Sequence, residues 1–287
     1  MKFKHFLSSR VPKTLRKRAK DFYYGRLLYS VYSVKHKLLY NKWDFFETIA
    51  IETTTHCNLR CKFCPNSKYD RGLLKNKRLM SPELFKKIID QLSEVGYRGQ
   101  VDLYSYGEPL TDERLPEFVE YSRKKLPKAI IEINSNGFLI TLEIYKNLLN
   151  KGLDKINISQ YTDVMPPNTG KVLEELEKNP DIKNIIHYRV LDPTQLSNRG
   201  GEIELAVSPN YEKPICVYPK AAQTIDYAGN WVLCCNDYHS EVSFGNLNQE
   251  KLLEIWNKPF FKQIRKETRN NIFNLPLCQR CVGMKKS

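Results

Sequence analysis

Two kinds of hydrophobic segment are missing from this sequence. No apolar run approaches the roughly 20 residues that a membrane-spanning helix needs, and no hydrophobic signal-peptide core follows the N-terminal charges. We therefore expect a soluble, cytoplasmic protein. In such a chain of 287 residues, the eight cysteines indicate metal ligands, because disulfide frameworks belong to small secreted proteins.

Acidic residues are scarce near the N-terminus. Residues 1–45 contain twelve Lys and Arg residues but only Asp21 and Asp44, so this segment carries +10 of the chain's net charge of +14. Its apolar residues recur near helical spacing. We expect a basic helical arm that caps the bottom of the main domain, with peripheral contact to an anionic membrane as the alternative. No nucleic-acid fold motif accompanies the charge, so we expect no nucleic-acid partner.

The usual spacing of a zinc site is missing from the first cysteine group. Zinc sites mostly combine Cys-x2-Cys pairs, whereas three and then two residues separate Cys57, Cys61 and Cys64. Three thiolates within eight residues can hold three irons of a [4Fe–4S] cluster. The fourth iron then has no protein ligand and can bind a small molecule, which is a catalytic arrangement. Incidental cysteines or a zinc knuckle are the alternatives.

The same residues carry a family resemblance. Cys57-x3-Cys61-x-Phe63-Cys64 resembles the Cys-x3-Cys-x-aromatic-Cys signature of the radical S-adenosylmethionine (SAM) enzymes. The resemblance implies a [4Fe–4S] cluster that binds SAM and, when reduced, cleaves it to methionine and a 5′-deoxyadenosyl radical, which abstracts hydrogen from a substrate. It also implies that Phe63 lies near the adenine of SAM. The protein supplies binding and orientation, while the cofactor carries the chemistry.

Strand-like segments alternate with helical ones after the arm. Thr48-Ile49-Ala50-Ile51 begins the first strand, and Ser81 and Thr141 are typical helix N-caps. The alternation predicts an α/β fold with a parallel sheet, as a partial (β/α)6 barrel whose sixth strand lies within 202–207. The expected domains are an arm over 1–45, the radical SAM barrel over 46–205 and a small auxiliary-cluster domain over 206–287.

Polar segments follow several predicted strands, at the end of a barrel where active sites are built. Tyr106-Gly107-Glu108-Pro109 resembles the family's Gly-Gly-Glu motif, whose backbone receives the amino group of SAM, although Tyr106 replaces the first glycine. Asn134-Ser135-Asn136-Gly137 resembles the family's Thr-Asn-Gly segment, and Ser159-Gln160 resembles its Ser-x-Asp segment. The SAM-binding residues implied are Phe63, Tyr106, Gly107, Glu108, Asn134, Ser135, Asn136, Ser159 and Gln160. The glycine-rich stretch that some relatives carry on a later strand is missing.

A second cysteine group lies near the C-terminus. Cys216-x12-Gly229-x4-Cys234 resembles the opening of the SPASM auxiliary-cluster extension, and Cys278-x2-Cys281 supplies two further ligands. These suffice for one auxiliary [4Fe–4S] cluster, as in the shortened "twitch" form of radical SAM dehydrogenases of aminocyclitol biosynthesis. If Cys234 and Cys235 lie on a strand, their side chains point to opposite faces. The Gly-x4-Cys register selects Cys234, which leaves Cys235 as a packing or nearby thiol.

The resemblance implies a radical SAM oxidoreductase. The expected substrate is a small sugar or aminocyclitol-like alcohol, and the auxiliary cluster accepts an electron. Arg199 lies in Asn198-Arg199-Gly200, which resembles a stretch preceding the auxiliary domain in relatives, and its fork of donors suits a hydroxyl or carboxylate. We interpret Arg199 as the catalytic residue. The expected partners are a small-molecule substrate and an electron donor such as flavodoxin or ferredoxin.

Three other functions stay open. A peptide maturase is less favoured, because the arm is short and basic for a peptide-binding module. A radical epimerase would need a hydrogen-atom donor, for which Cys235 is the spare thiol. A non-enzymatic zinc protein with a nucleic-acid- or membrane-binding arm has the same ligand chemistry at the second cysteine group.

Overall fold

The computed structural model describes residues 28–192, 196–204 and 216–284, which form one body around an eight-stranded sheet. The strand order is β5-β4-β3-β2-β1-β6-β7-β8. The strands are β1 (Thr48–Ile51), β2 (Gln100–Asp102), β3 (Ile130–Ser135), β4 (Lys155–Gln160), β5 (Ile186–Val190), β6 (Ala222–Ile225), β7 (Asn230–Val232) and β8 (Ser243–Asn246). The first six pair in parallel, whereas β7 and β8 continue the sheet as antiparallel strands.

Helices follow most of the parallel strands. They are α1 (Leu28–Tyr40), α2 (Pro82–Glu94), α3 (Leu115–Lys125), α4 (Leu142–Asn150), α5 (Pro167–Lys178), α6 (Tyr218–Ala221), α7 (Leu252–Asn257), α8 (Pro259–Arg269) and α9 (Pro276–Cys281). The predicted N-caps are confirmed, because Ser81 Oγ accepts from Leu84 N at 3.1 Å and Thr141 Oγ1 accepts from Ile144 N at 3.2 Å. The α/β class with a parallel sheet is therefore confirmed.

The two faces of the parallel sheet differ in character. Ile49, Val101 and Ile131 are neighbours in register and are fully buried in the core shared with the helices. The next register row, Asp102 and Glu132 beside Lys155, is polar. Because side chains alternate along a strand, this second row lies on the opposite, inner face. A polar inner face suits a chamber that binds a polar ligand.

The sixth parallel strand differs from its predicted position. Residues 202–204 are not strand, and 205–207 lie outside the described residues. The sixth parallel strand is instead β6, which pairs with β1. Since β1 then lies between β2 and β6, the segment after Cys216 extends the barrel's own sheet.

The helix α1 packs at the end of the sheet where the parallel strands begin. Tyr40 Oη accepts from Arg98 N at 3.1 Å, and its ring lies 6.2 Å from that of Tyr97, just before β2. Trp256 is buried, and its indole nitrogen donates to Asp44 O at 3.1 Å. Among the described residues, no helix has the length and apolar character needed to cross a membrane. The first 27 residues of the predicted arm are not among those described.

Candidate active site

The first cysteine group lies in the loop between β1 and α2. Cys57 N donates to Gly72 O at 3.1 Å, and Cys64 N donates to Cys61 O at 2.9 Å. A guanidinium nitrogen of Arg60 donates to Cys57 O at 2.8 Å. The backbone therefore folds back on itself, and all three cysteines are half-buried at the carboxyl end of β1.

The three thiols lie within electrostatic reach of one another. Burial raises the pKa of Cys57 to about 11. Burial likewise raises the pKa of Cys61 to about 11, with charge on Cys57 and Cys64 adding to the effect. Such thiols ionise only when a cation offsets the accumulated negative charge. A cluster with positively charged irons fits this donor set.

The Gly-Glu-Pro loop packs directly on the first cysteine loop. A Cβ on Gly107 would lie 2.0 Å from Thr54 O, so only glycine fits there. Glu108 N donates to His56 O at 2.7 Å, just before Cys57. Burial raises the pKa of the Glu108 carboxyl to about 7. This carboxyl accepts from Ser135 Oγ at 2.7 Å and from Asn136 N at 2.8 Å.

Glu108 thus joins two of the predicted SAM-binding segments. The side-chain nitrogen Nδ2 of Asn136 donates to Asn58 Oδ1 at 2.8 Å, inside the first cysteine loop. Asn134 lies half-buried on β3, in register with Asn157 of β4. The structure therefore brings the loops after β1, β2 and β3 together through side-chain hydrogen bonds.

Ser159 and Gln160 occupy opposite faces of β4. Ser159 Oγ accepts from Arg189 Nε at 2.9 Å on the inner face. The Gln160 side chain instead accepts from Tyr188 Oη, and it donates to Thr162 O at 2.8 Å. Tyr188 is in register with the buried Ile158, so Gln160 points toward the core face of the sheet. Of this pair, only Ser159 faces the chamber.

The predicted catalytic Arg199 sits in a turn of unusual backbone geometry. Arg199, Gly200 and Gly201 have φ values of +51°, +74° and +97°. A Cβ on Gly200 would lie 2.8 Å from Asn236 O, which explains glycine there. Arg280 Nε donates to Gly200 O at 3.1 Å, so α9 fixes this turn. A non-glycine residue held at positive φ is typical of functional sites.

Three buried polar atoms in this region have no hydrogen-bond partner among the described residues. They are Arg199 Nε, the Tyr106 hydroxyl and Asn198 Oδ1. The Arg199 guanidinium lies 5.9 Å from the Tyr106 ring centroid. Burial raises the pKa of Tyr106, and charge on cysteines of both groups adds to this shift. Tyr106 therefore lies within electrostatic reach of both cysteine groups. Buried donors without partners fit a polar ligand.

The second cysteine group also converges. Burial raises the pKa of Cys278 to about 12, with charge on Cys216 and Cys281 adding to the shift. Burial also raises the pKa of Cys234, which lies within reach of the same two cysteines. Gly229 has φ +86° in the turn between β6 and β7, as its place in the motif requires. Cys234 and Cys278 thus each lie within electrostatic reach of Cys216 and Cys281.

Cys235 does not share a strand with Cys234. Both follow the end of β7 at Val232, and Cys235 lies in a turn, so the assumed strand is wrong. The two thiols nevertheless differ, since Cys234 is buried and Cys235 is half-buried. Charge on Cys235 is the main factor that raises the pKa of Tyr218 to about 12.

Several chamber residues were not predicted from the sequence. The ring centroids of Tyr161 and Phe63 lie 5.3 Å apart. Burial, together with charge on Asp102 and Cys235, raises the pKa of Tyr104. Glu132 accepts from Lys155 Nζ at 3.1 Å and Asn157 Nδ2 at 2.9 Å. The alternation along β3 could have indicated Glu132, because it is a polar position between the buried apolar Ile131 and Ile133.

Among the described residues, no three His, Cys, Asp or Glu side chains are grouped closely enough to hold a single metal ion.

The comparisons with protein families concern iron–sulfur clusters. Residues 51–163 match the radical SAM superfamily, and residues 216–282 match the SPASM iron-sulfur cluster-binding domain. The chain belongs to the radical SAM superfamily and is a radical SAM enzyme with a SPASM domain. These two matches imply a SAM-binding [4Fe–4S] cluster and an auxiliary cluster.

Three relatives indicate the extent of the similarity. The S-adenosyl-L-methionine-dependent 2-deoxy-scyllo-inosamine dehydrogenase of Niallia circulans is 27% identical over 82% of this chain and 92% of its own length. The crystal structure of BtrN in complex with AdoMet and 2-DOIA has a TM-score of 0.73 and 27% identity, covering 83% of this chain and 93% of that one. The structure of anSMEcpe with bound AdoMet has a TM-score of 0.55 at 14% identity, covering 82% of this chain and 86% of that one, and shows a shared fold alone.

Proposed function

We propose that this enzyme oxidises a carbon that bears a hydroxyl in a small sugar or aminocyclitol-like alcohol, giving a ketone. The observation that carries the proposal is the similarity to the 2-deoxy-scyllo-inosamine dehydrogenase, which spans 92% of that enzyme. The expected domain boundaries, at 45/46 and 205/206, stay part of the proposal. The radical SAM match lies within residues 46–205, and the SPASM match lies within residues 206–287.

The cysteines are proposed to divide into two ligand sets. Cys57, Cys61 and Cys64 would hold the SAM-binding cluster, and the auxiliary cluster would be held by Cys216, Cys234, Cys278 and Cys281. When bound, the first cluster and SAM supply hydrogen-atom abstraction, and the second cluster supplies an electron acceptor. Oxidation of the alcohol then balances, because the substrate loses one hydrogen atom, one electron and the hydroxyl proton.

The chain's own residues would bind and orient the reactants. Glu108 holds Ser135 and Asn136 in place beside the first cysteine loop, which supports the predicted SAM contacts. Arg199 Nε and the Tyr106 hydroxyl are buried donors without partners in the part of the chain that the structure describes, so we assign them to the substrate hydroxyl or the SAM carboxylate. The rings of Phe63 and Tyr161 pack against each other, with their centroids 5.3 Å apart.

A radical epimerase is the second candidate, favoured by the position of Cys235. Charge on Cys235 raises the pKa of Tyr104, Tyr106 and Tyr218, so the thiol lies within electrostatic reach of these three tyrosines. In that reaction the substrate radical takes a hydrogen atom from the thiol. One electron and one proton then restore the thiol. Deuterium uptake at carbon from D₂O would favour this reaction, whereas ketone formation would exclude it.

The partners follow from the proposed chemistry. The substrate would be a small molecule, and a flavodoxin or ferredoxin would deliver the electron that reduces the first cluster. We also propose that the basic N-terminal arm makes peripheral contact with a membrane, because residues 1–45 carry +10 of the chain's net charge of +14.

The test is an anaerobic assay of enzyme reconstituted with iron and sulfide. About eight irons per chain are expected from two [4Fe–4S] clusters. A panel of aminocyclitols and sugars is incubated with SAM and reduced flavodoxin, and 5′-deoxyadenosine and ketone are measured by mass spectrometry. Equal amounts of both are expected with the correct substrate class. Deoxyadenosine release stimulated by peptides alone would contradict the proposal.

Tyr106→Phe provides a sharper version of the same test. Loss of one buried donor should lower kcat/KM by about tenfold to a hundredfold, the equivalent of roughly 1.5–3 kcal/mol for a hydrogen bond to a charged group. Tyr121→Phe is the matched control, since its hydroxyl binds Asp90 on the helix surface. Equal rates for both variants would remove Tyr106 from the site.

A further inference from the structure

Three apolar side chains lie on the outer face of α1. Val31, Val34 and Leu38 recur at three- and four-residue spacing, so they share one face of the helix. These residues are 54%, 51% and 81% exposed, and Trp43, just after the helix, is 60% exposed. We call these four residues the outer apolar surface. Isolated exposed apolar residues are ordinary, but a contiguous group indicates an interaction surface.

The opposite face of α1 already has its partners. His36 is buried and contacts Glu47, immediately before β1. The Tyr40 ring packs on Phe45, with a centroid distance of 4.8 Å. The outer apolar surface therefore faces away from the core, because α1 is anchored through its other side.

The charge around this surface decides what kind of partner fits it. Lys35, Lys37 and Lys42 belong to the same segment, and the Lys37 ammonium lies 5.8 Å from the Trp43 ring centroid. The segment 1–45 holds twelve basic and two acidic residues. Apolar residues with an exposed tryptophan, bordered by lysines, match the interfacial region of an anionic bilayer. A second copy of this chain would bring an equally basic segment against it, and the two would repel each other.

We propose that the outer apolar surface docks on an anionic membrane surface. This inference rests on the membrane contact proposed above and names the residues that enter the interface. Val31, Val34 and Leu38 would insert at the boundary between headgroups and acyl chains, and Trp43 would lie at headgroup level. Lys37 and Lys42 would contact lipid phosphates, whereas Lys35 is already paired with Glu47.

Docking in this way fixes the orientation of the enzyme. The helix lies where the parallel strands begin, whereas Cys57, Cys61 and Cys64 follow the carboxyl end of β1, at the other end of the sheet. The active site therefore faces the aqueous phase, where a water-soluble substrate and a soluble electron donor can reach it.

The test compares full-length variants by sedimentation with vesicles. Reconstituted protein is mixed with phosphatidylcholine vesicles that contain or lack phosphatidylserine. The double variant Val34→Asp/Leu38→Asp should lower partitioning onto anionic vesicles at least tenfold, and Trp43→Ala should lower it severalfold. Val164→Asp is the matched control, because Val164 is 67% exposed and follows β4, at the other end of the sheet. It should partition as the unchanged chain does.

The outcomes separate this inference from the arm proposal. A full-length variant with Arg16, Lys17, Arg18 and Lys20 all changed to Gln tests the arm's charge alone. If the unchanged chain does not sediment with anionic vesicles, both proposals fail. If the quadruple variant loses binding but the double Asp variant does not, the outer apolar surface is excluded and the arm proposal stands. If light scattering shows dimers of the unchanged chain and monomers of the double Asp variant alone, the surface joins two copies and the membrane assignment is wrong.

Discussion

At the scale of single residues, the first cysteine group should be indispensable. Changing Cys57, Cys61 or Cys64 to Ala removes one of three thiolates, so the cluster with the open iron cannot be held. Deoxyadenosine formation should be abolished, while iron content falls from about eight to about four per chain because the auxiliary set is untouched. Anaerobic iron analysis and deoxyadenosine assays check both expectations. Sustained SAM cleavage in any of the three variants would contradict the ligand assignment.

A buried carboxyl on the inner face should make stability depend on pH. Burial and the nearby charge of Glu132 raise the pKa of Asp102 to about 8, above the roughly 3.9 of an unfolded chain. The folded state then holds a proton that the unfolded state has lost, so this group's contribution to stability falls as pH rises from about 4 to 8. Asn mimics the protonated acid, so Asp102→Asn should lack this decline.

Denaturant unfolding at pH values from 5 to 9 measures the difference. The variant should gain stability relative to the unchanged chain as pH rises. Asp90→Asn serves as a contrast, because the hydrogen bond from Lys125 lowers the pKa of Asp90 and its contribution disappears as pH falls. A constant difference between Asp102→Asn and the unchanged chain across this range would mean that Asp102 is ionised throughout.

Residue types and spacing predicted the residues that carry the chemistry better than they predicted the residues that surround them. The two cysteine groups and Gly107 stood out in the sequence because their spacing, or the absence of a side chain, is itself the signal. Tyr104 and Tyr161 could not, because a tyrosine after a strand is equally typical of a core. Gln160 was grouped with Ser159 by resemblance, although neighbouring residues on a strand face opposite sides.

At the scale of elements, the helix caps give a direct test of local stability. Ser81 Oγ accepts from Leu84 N at the start of α2, whose inner residues Phe85 and Ile88 belong to the core. Ser81→Ala should lower the free energy of unfolding by about 1 kcal/mol, because one backbone donor loses its partner. Ser81→Asp retains a cap and should stay close to the unchanged chain. Equal unfolding midpoints for the Ala and Asp variants would show that this cap contributes nothing.

Elements were predictable where the hydrophobic period was long and capped. The helices after Ser81 and Thr141 begin where their caps indicate. The sixth parallel strand was misplaced because strand pairing is non-local. Ala222–Ile225 joins β1, which precedes it by about 170 residues, and no local pattern reveals that neighbour.

At the scale of the whole molecule, one sheet connects the two cysteine groups. β1 leads into the first group, and its neighbour β6 continues through β7 to Cys234. Tyr238 spans the gap, since its hydroxyl donates to Asn66 Oδ1 at 2.8 Å and its ring contacts Tyr106 at 4.8 Å. A shared, rigid sheet fixes the separation of the two proposed clusters, which suits electron transfer after hydrogen abstraction.

This arrangement predicts a division of labour between the two adjacent thiols. Cys234→Ala removes one of four ligands from the proposed auxiliary cluster, so net oxidation of the substrate should be lost while uncoupled SAM cleavage persists. Cys235→Ala should keep full iron content and form the ketone, if the reaction is a dehydrogenation. The ratio of deoxyadenosine to oxidised product, measured with iron content, distinguishes the two variants.

Each alternative result identifies a different error in this assignment. If iron binding needs Cys235 and not Cys234, the register counted from Gly229 is wrong. If Cys235→Ala keeps its iron but stops product formation, the thiol takes part in the reaction, as an epimerase requires. Retention of full iron and full oxidation by both variants would exclude the auxiliary cluster as the electron acceptor. The two thiols are adjacent in sequence but differ in burial, so their variants form a closely matched pair.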